Sequence, residues 1–302
     1  MRINLLAAVS MFVFGLLVSC TGRETPPAGP VAVVSILPQR WFVERIAAGR
    51  FPVTVLAGPG QNPHNYEPSP RQMTDLTGAA FWLLSGTEFE ISLKPKIAAL
   101  FPGLLIIDGT EGVRFRTLED HEDEDETRAG NGHIDRHTWL GSGPAKIMAV
   151  HILNVLIDID PSGAALYRTN YDALLRDIDG EYNTLRTELA PLRGRTVLVY
   201  HPSFGYFLDE FGLIQKAVET GGKEPAPRML RKLMEEARQE RAAAIFVQAQ
   251  FPLQIAQILA AALNMETVPL DPLSPDWLAN IRVMGETLAK SLSSGGGPAA
   301  VR

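Results

Sequence analysis

Three histidines and one aspartate stand where side chains with metal-ligand chemistry could meet. His201 directly follows the apolar run Thr196–Tyr200, and Asp271 follows Glu266–Leu270. His64 follows Phe51–Ala57 after the Gly58-Pro59-Gly60 turn. If these runs are strands of an open α/β sheet, each of the three side chains lies at a carboxyl end, where such sheets bind ligands. His137 opens a fourth segment, His137-Thr-Trp-Leu140, ahead of a helical pattern. Three imidazoles and a carboxylate are a complete N/O donor set for a tetrahedral divalent ion. The set is borderline-soft, which favours zinc over calcium or magnesium. One carboxylate leaves a net positive charge, so acceptors behind the rings should orient their N–H groups. Glu67, Asp135 and Asp209 are candidates for that role. Taken singly, each ligand candidate has a plainer reading. A histidine after a strand is commonly a hydrogen-bonded loop residue, and Asp271 can cap a turn before Pro272.

The elements that must position these residues alternate along the chain. Val31–Ile36, Phe51–Ala57, Phe81–Leu84 and Leu104–Asp108 are short apolar, partly β-branched runs that read as buried strands. Helical spacing covers Pro38–Ala48 and Pro70–Thr77 between them, and Gly143–Asp158 after them. From Pro161 to Leu189 apolar residues recur at threes and fours, as in one long helix. Beyond Pro191 the alternation restarts, with strands at Thr196–Tyr200, Ile214–Glu219, Ala244–Gln248 and Glu266–Leu270. Helices are expected at Phe204–Phe211, Pro227–Arg241, Phe251–Leu263 and Asp276–Leu292. The expected fold is α/β: two lobes with parallel sheets joined by a single long bridging helix, the site lying between them.

The two ends carry different information. Met1-Arg2-Ile3-Asn4 followed by the apolar Leu5–Val18 reads as a secretory signal, residues 1–19. Leu17-Val18-Ser19-Cys20 resembles a bacterial lipobox, and Cys20 is the chain's only cysteine. A lone cysteine has no disulfide to make and leaves any metal site to N and O donors. Residues 20–30 then form a lipidated Pro/Gly-rich tether. The N-terminal lobe spans 31–160 with an acidic loop at 119–133, the bridging helix 161–190, the C-terminal lobe 191–292, and a disordered tail 293–302. No second segment reads as a membrane span. A net charge of −6 argues against nucleic acid as a partner, and a monomer is expected.

Four segments together carry a family resemblance. Asn62-Pro-His-Asn-Tyr-Glu-Pro-Ser-Pro70 resembles the P-H-x-Y-E-P-x-P motif of the zinc/manganese solute-binding proteins of bacterial ABC transporters. Asp135-Arg-His-Thr-Trp-Leu140, Tyr200-His-Pro-Ser-Phe-Gly-Tyr-Phe207 and Val268-Pro-Leu-Asp-Pro-Leu273 resemble that family's later motifs in order. The likeness covers residues 31 to 292. It implies metal ligands at His64, His137, His201 and Asp271, and two lobes bridged by a rigid helix. It also implies delivery of the ion to a membrane permease by a protein held at the outer face of a membrane through its lipid. Members with histidine at the third ligand position resemble the zinc binders, and those with glutamate the manganese binders. His201 therefore points to zinc, the alternative being a manganese (or iron) binding protein of the same transporter class. One departure is Gln248, where many members carry Glu in the strand motif; it bears either on docking or on hydrogen bonding behind the site.

Other features fit this picture less directly. Glu119–Glu126 is an acidic run around His121, read first as a solvated loop whose charges repel. His133 and His137 form an H-x-x-x-H pair in a loop context, and His151 sits in an apolar helix pattern as a structural residue. No G-x-S-x-G, G-x-x-x-x-G-K-[ST] or H-E-x-x-H motif occurs. A zinc-dependent hydrolase on the same residues would need an open coordination position. A metal-binding adhesin is a third reading. The expected activity is binding, not catalysis.

Overall fold

The computed structural model describes residues 29–118, 134–219, 227–240, 242–251 and 253–294. The signal segment with Cys20, most of the tether, and the acidic run with His121 and His133 lie outside the described residues.

Both halves of the chain build the same sheet. In the first, β1 (Val31–Ile36), β2 (Val53–Ala57), β3 (Ala79–Leu84) and β4 (Leu105–Asp108) pair in the order β2-β1-β3-β4, all parallel. A short antiparallel hairpin follows, β5 (Arg116–Thr117) with β6 (Ile134–Asp135). In the second half, β7 (Thr196–Val199), β8 (Ile214–Ala217), β9 (Ala244–Val247) and β10 (Glu266–Pro269) pair in the order β10-β9-β7-β8, again parallel. Read from the other edge this is second, first, third, fourth, the topology of the first lobe. Each sheet thus has a switch point, between β1 and β3 and between β7 and β9, where open sheets leave a crevice for ligands.

The helices are α1 (Leu37–Ala47), α2 (Pro70–Thr77), α3 (Glu88–Leu100), α4 (Ser142–Ile159), α5 (Ala164–Glu188), α6 (Gly205–Asp209), α7 (Pro227–Gln239), α8 (Leu253–Leu263) and α9 (Trp277–Ser294). The bridging helix is shorter at both ends than the spacing predicts. Three-residue 3-10 turns at Pro161–Gly163 and Ala190–Leu192 flank it, where the prolines cannot supply a backbone N–H to an α-helical ladder. Its buried stripe is Tyr167, Leu174, Ile178, Tyr182 and Leu185. At 1.5 Å per residue the 25-residue α5 runs about 37 Å. Helix α3 was not expected, because Pro95 inside it disguises the pattern. Helix α9 reaches Ser294, two residues into the stretch expected as tail. Helix α4 is long and apolar enough to cross a membrane by composition, contrary to the expectation that no such second segment exists. It buries Ala145, Met148, Ala149, Ile152, Leu153, Val155 and Leu156 and packs against α1 and α5, so it is a core helix.

The core is continuous between the lobes. Val197, Val199 and Phe246 of the second sheet join the cluster built on Val33, Phe42, Trp82 and Ile152. Their strand neighbours Leu198, Tyr200, Ile245 and Val247 point the other way, into a smaller cluster with Leu233 and Leu259. That division is the period-2 alternation of a strand covered on both faces. Helix α9 closes the junction. Its Trp277 ring packs on Phe42 of α1 at 4.8 Å and on Trp41 at 5.6 Å. Trp277 Nε1 donates to the Trp139 carbonyl at 2.8 Å, and Trp139 Nε1 to the Pro272 carbonyl at 2.7 Å.

Candidate metal centre

His64 sits in the connection between β2 and α2. Ser69 caps α2 by accepting the Gln72 N–H, while Gln72 Oε1 accepts the Ser69 N–H at 3.0 Å, a reciprocal capping box with Pro70 at the first helical position. Gln72 Nε2 also donates to the Leu56 carbonyl at 2.7 Å, so one side chain ties both ends of the His64 loop together. The His64 N–H donates to Asn62 Oδ1 at 3.0 Å. The ring's Nδ1 meets Glu88 Oε2 at 2.7 Å.

Glu88 begins α3, just beyond β3. The turn before it is fixed by the buried Glu90, whose carboxylate accepts from the Ser85 N–H and Oγ and from the Gly86 N–H. Gly86 has φ +86°, a conformation other residues adopt only under strain. Arg136 Nη1 donates to the Gly86 carbonyl, and its Nε lies 3.6 Å from Glu88 Oε1. Burial works to raise the Glu88 carboxyl, but the hydrogen bond and charge of His64 outweigh it and hold the pKa at about 2.

His137 follows β6 and opens the 3-10 turn Thr138–Leu140. Asp135, fully buried, accepts both the His137 Nδ1 at 2.9 Å and the His137 backbone N–H at 3.0 Å. Arg116 Nη1 stands 3.5 Å from the other Asp135 oxygen. Tyr206 Oη accepts from the Arg116 N–H and donates to the Asp135 carbonyl, which fastens this hairpin to α6 of the second lobe.

His201 follows β7 and is almost entirely buried. Its Nδ1 meets Glu219 Oε2 at 2.5 Å. Gln248, completely buried at the end of β9, donates from Nε2 to the His201 carbonyl at 2.8 Å and accepts the His201 N–H at 3.4 Å. The departure at Gln248 is thereby explained. It lies too deep to touch a docking partner, and an amide can donate and accept here where an ionised carboxylate can only accept. Phe251 stacks on the His201 ring with centroids 4.4 Å apart. Burial, then the neighbouring His137 and His64, push the His201 pKa well below the usual imidazole value. The ring is therefore a neutral base with a lone pair to offer.

The three rings converge. His64 and His201 bring their Nε2 atoms to 2.9 Å, ring centroids lie 4.6 to 5.3 Å apart, and one nitrogen of each residue falls within 4.8 Å of the other two. With metal–nitrogen bonds near 2.0–2.1 Å, tetrahedral ligand atoms lie about 3.3 Å apart. Each Nδ1 is bound to a carboxylate, which leaves the Nε2 lone pairs for a cation and makes the rings more basic. The pocket they line also touches Asn62, Trp139, Gln250, Phe251 and Leu273, and among the described residues no carboxylate, lysine or arginine lines it. Cation charge would be balanced from behind, by Glu88, Asp135 and Glu219.

Asp271 lies outside this cluster. Its Oδ1 accepts the Leu273 N–H at 2.9 Å and the Gln250 amide at 3.4 Å, and its carbonyl accepts from Asn280 Nδ2. Both Gln250 and Leu273 line the pocket. Of the acceptors expected behind the rings, Asp135 takes that place. Glu67 is exposed, and Asp209 binds Arg116 at 2.8 Å. Glu88 and Glu219 were missed, although both stand just past strand ends, the same signal that singled out His64 and His201. His151 Nε2 donates to the Glu111 carbonyl, 2.9 Å away, as a structural residue.

Twin parallel lobes around a buried imidazole cluster define a two-domain solute-binding protein with a site suited to a metal ion. The family of periplasmic zinc-uptake complex component A, ZnuA, matches residues 32–291, and the chain belongs to that family. A candidate metal-binding protein of Chlamydia muridarum is 26% identical over 92% of this chain and 97% of its own length. The high-affinity zinc uptake system protein ZnuA of Yersinia pestis is 24% identical over 82% of this chain and 84% of its own. A zinc-bound crystal structure of a ZnuA deletion mutant superposes with a TM-score of 0.81 at 28% identity, covering 89% of this chain and all of that one.

Proposed function

We propose that this chain captures a divalent cation, zinc foremost, and delivers it to the permease of an ABC transporter. The carrying observation is the meeting of His64, His137 and His201, from chain positions more than 60 residues apart, each with a carboxylate on Nδ1. Asp271 completes the shell when its carboxylate exchanges the Leu273 N–H for the ion. Three imidazoles suit zinc better than manganese. A shell of four protein ligands leaves no open position for water or substrate, which fits binding and not hydrolysis. All four ligands come from one chain, so a monomer is sufficient.

The test is a competitive titration with a zinc chelator. His64→Ala and His201→Ala each weaken zinc affinity by orders of magnitude while circular dichroism stays that of the folded chain. Unchanged affinity in both variants rejects the site. We further propose that the chain is exported and anchored through a diacylated Cys20, with residues 20–30 as its tether. Cys20→Ser then moves the protein from the membrane fraction to the soluble one, and persistence in the membrane fraction removes the anchor.

A further inference from the structure

The three imidazoles are held very unequally. Asp135 fixes both the ring and the backbone of His137, and its side chain is 0% exposed. His201 is gripped by Glu219, 3% exposed, and its main chain by Gln248 on both sides. Phe251 lies flat against its ring. Behind the cluster the His64 ring has one carboxylate, Glu88, whose side chain is 42% exposed, and its other nitrogen faces His201 Nε2 at 2.9 Å. Its N–H is bound only by Asn62, two residues away in the same connection, and residues 58–69 contain no helix or strand. The His64 side chain is itself 26% exposed, against 7% for His137 and 6% for His201.

We infer that His64 is the first imidazole to let go when the ion is handed on, and that Glu88 is the positioning residue that governs this step. The inference rests on the reading that the histidine cluster holds the cation. The physical reason is desolvation. Withdrawing His137 or His201 strands a polar ring and its carboxylate in a dry interior, where unpaired groups are costly. Withdrawing His64 delivers both ring and carboxylate to water. Arg136, with Nε 3.6 Å from Glu88 Oε1, is at hand to pair with the carboxylate as the imidazole leaves. The Gln72 brace and Tyr66, buried against Phe89 and donating to Gln72 Oε1 at 2.6 Å, fix the loop two residues past His64, so the movement is that of the His64 ring and not of the whole loop.

The experiment is nitrogen relaxation dispersion on 15N-labelled histidine rings in the full-length zinc-loaded chain, combined with zinc dissociation into excess chelator. Millisecond exchange confined to the His64 ring is expected. Glu88→Gln should raise that exchange rate and the zinc dissociation rate together by about tenfold, the lower end of what losing an orienting carboxylate does. The His137 and His201 ring shifts should stay in place. Exchange at His137 or His201 instead, exchange at no ring, or a Glu88→Gln dissociation rate equal to that of the parent overturns the inference. A separate failure, zinc shifting no histidine nitrogen at all, would fell the metal-site reading beneath it.

Discussion

His201 is kept neutral by its surroundings, and this has a consequence for the metal-free chain. Its folded-state pKa lies well below the unfolded value near 6.5. As pH falls through 6.5 the unfolded chain takes up a proton that the folded chain refuses, so stability falls. Glu88 adds nothing to this window, because its carboxyl, at about 2, is ionised there in both states. Urea unfolding of the zinc-free protein should give a lower midpoint at pH 5.5 than at pH 7.5, with a shallower dependence in His201→Asn. An equal pH dependence in the two proteins would mean the ring is not buried as a neutral base.

Helix α6 shows how an element can act on a candidate ligand it does not carry. A Cβ at Gly205, its first residue, would stand 2.5 Å from Arg116 Nη1 and 2.6 Å from Asp135 Oδ2. That is the knot behind His137. Gly205→Ala must push the guanidinium and carboxylate aside, at an overpacking cost of about 1–3 kcal/mol. Displacing Asp135 should also weaken zinc binding by about tenfold or more. A thermal melt and a zinc titration of this one variant check both halves; undiminished affinity would show that Asp135 does not orient His137. The motif around His201 thus also serves His137, through the glycine four residues on.

On the scale of the molecule, the two sheets do not have separate interiors. Val199 and Phe246 of the second share a core with Phe42 and Trp82 of the first, and Trp277 returns from the far end of the chain to seal the junction. Hydrogen bonds cross the same junction, from Trp139 Nε1 to the Pro272 carbonyl and from Tyr206 Oη to the Asp135 carbonyl. Calorimetry of residues 29–294 without metal should therefore give one unfolding transition, with van't Hoff and calorimetric enthalpies in agreement. Zinc at about a thousand times its Kd should stabilise that transition by about 4 kcal/mol. Two resolved transitions would mean the lobes fold independently.

The periodicity of the apolar runs determined the α/β class and all eight strands of the two main sheets. The chemistry of the donor residues, with their places after strands, picked out His64 and His201 as candidates before any contact was known. Pattern also sets limits: Pro95 hides α3, and nothing in the pairing of i with i+4 tells that Trp277 belongs against Trp41 and Phe42. Only tertiary structure decided which carboxylate stands behind which ring, because Glu88 and Glu219 lie 24 and 18 residues from their partners. It also gave Gln248 its role at His201. Local spacing records what a segment can bury, whereas the partner of a buried polar group is fixed by whichever distant element the fold brings within hydrogen-bonding reach.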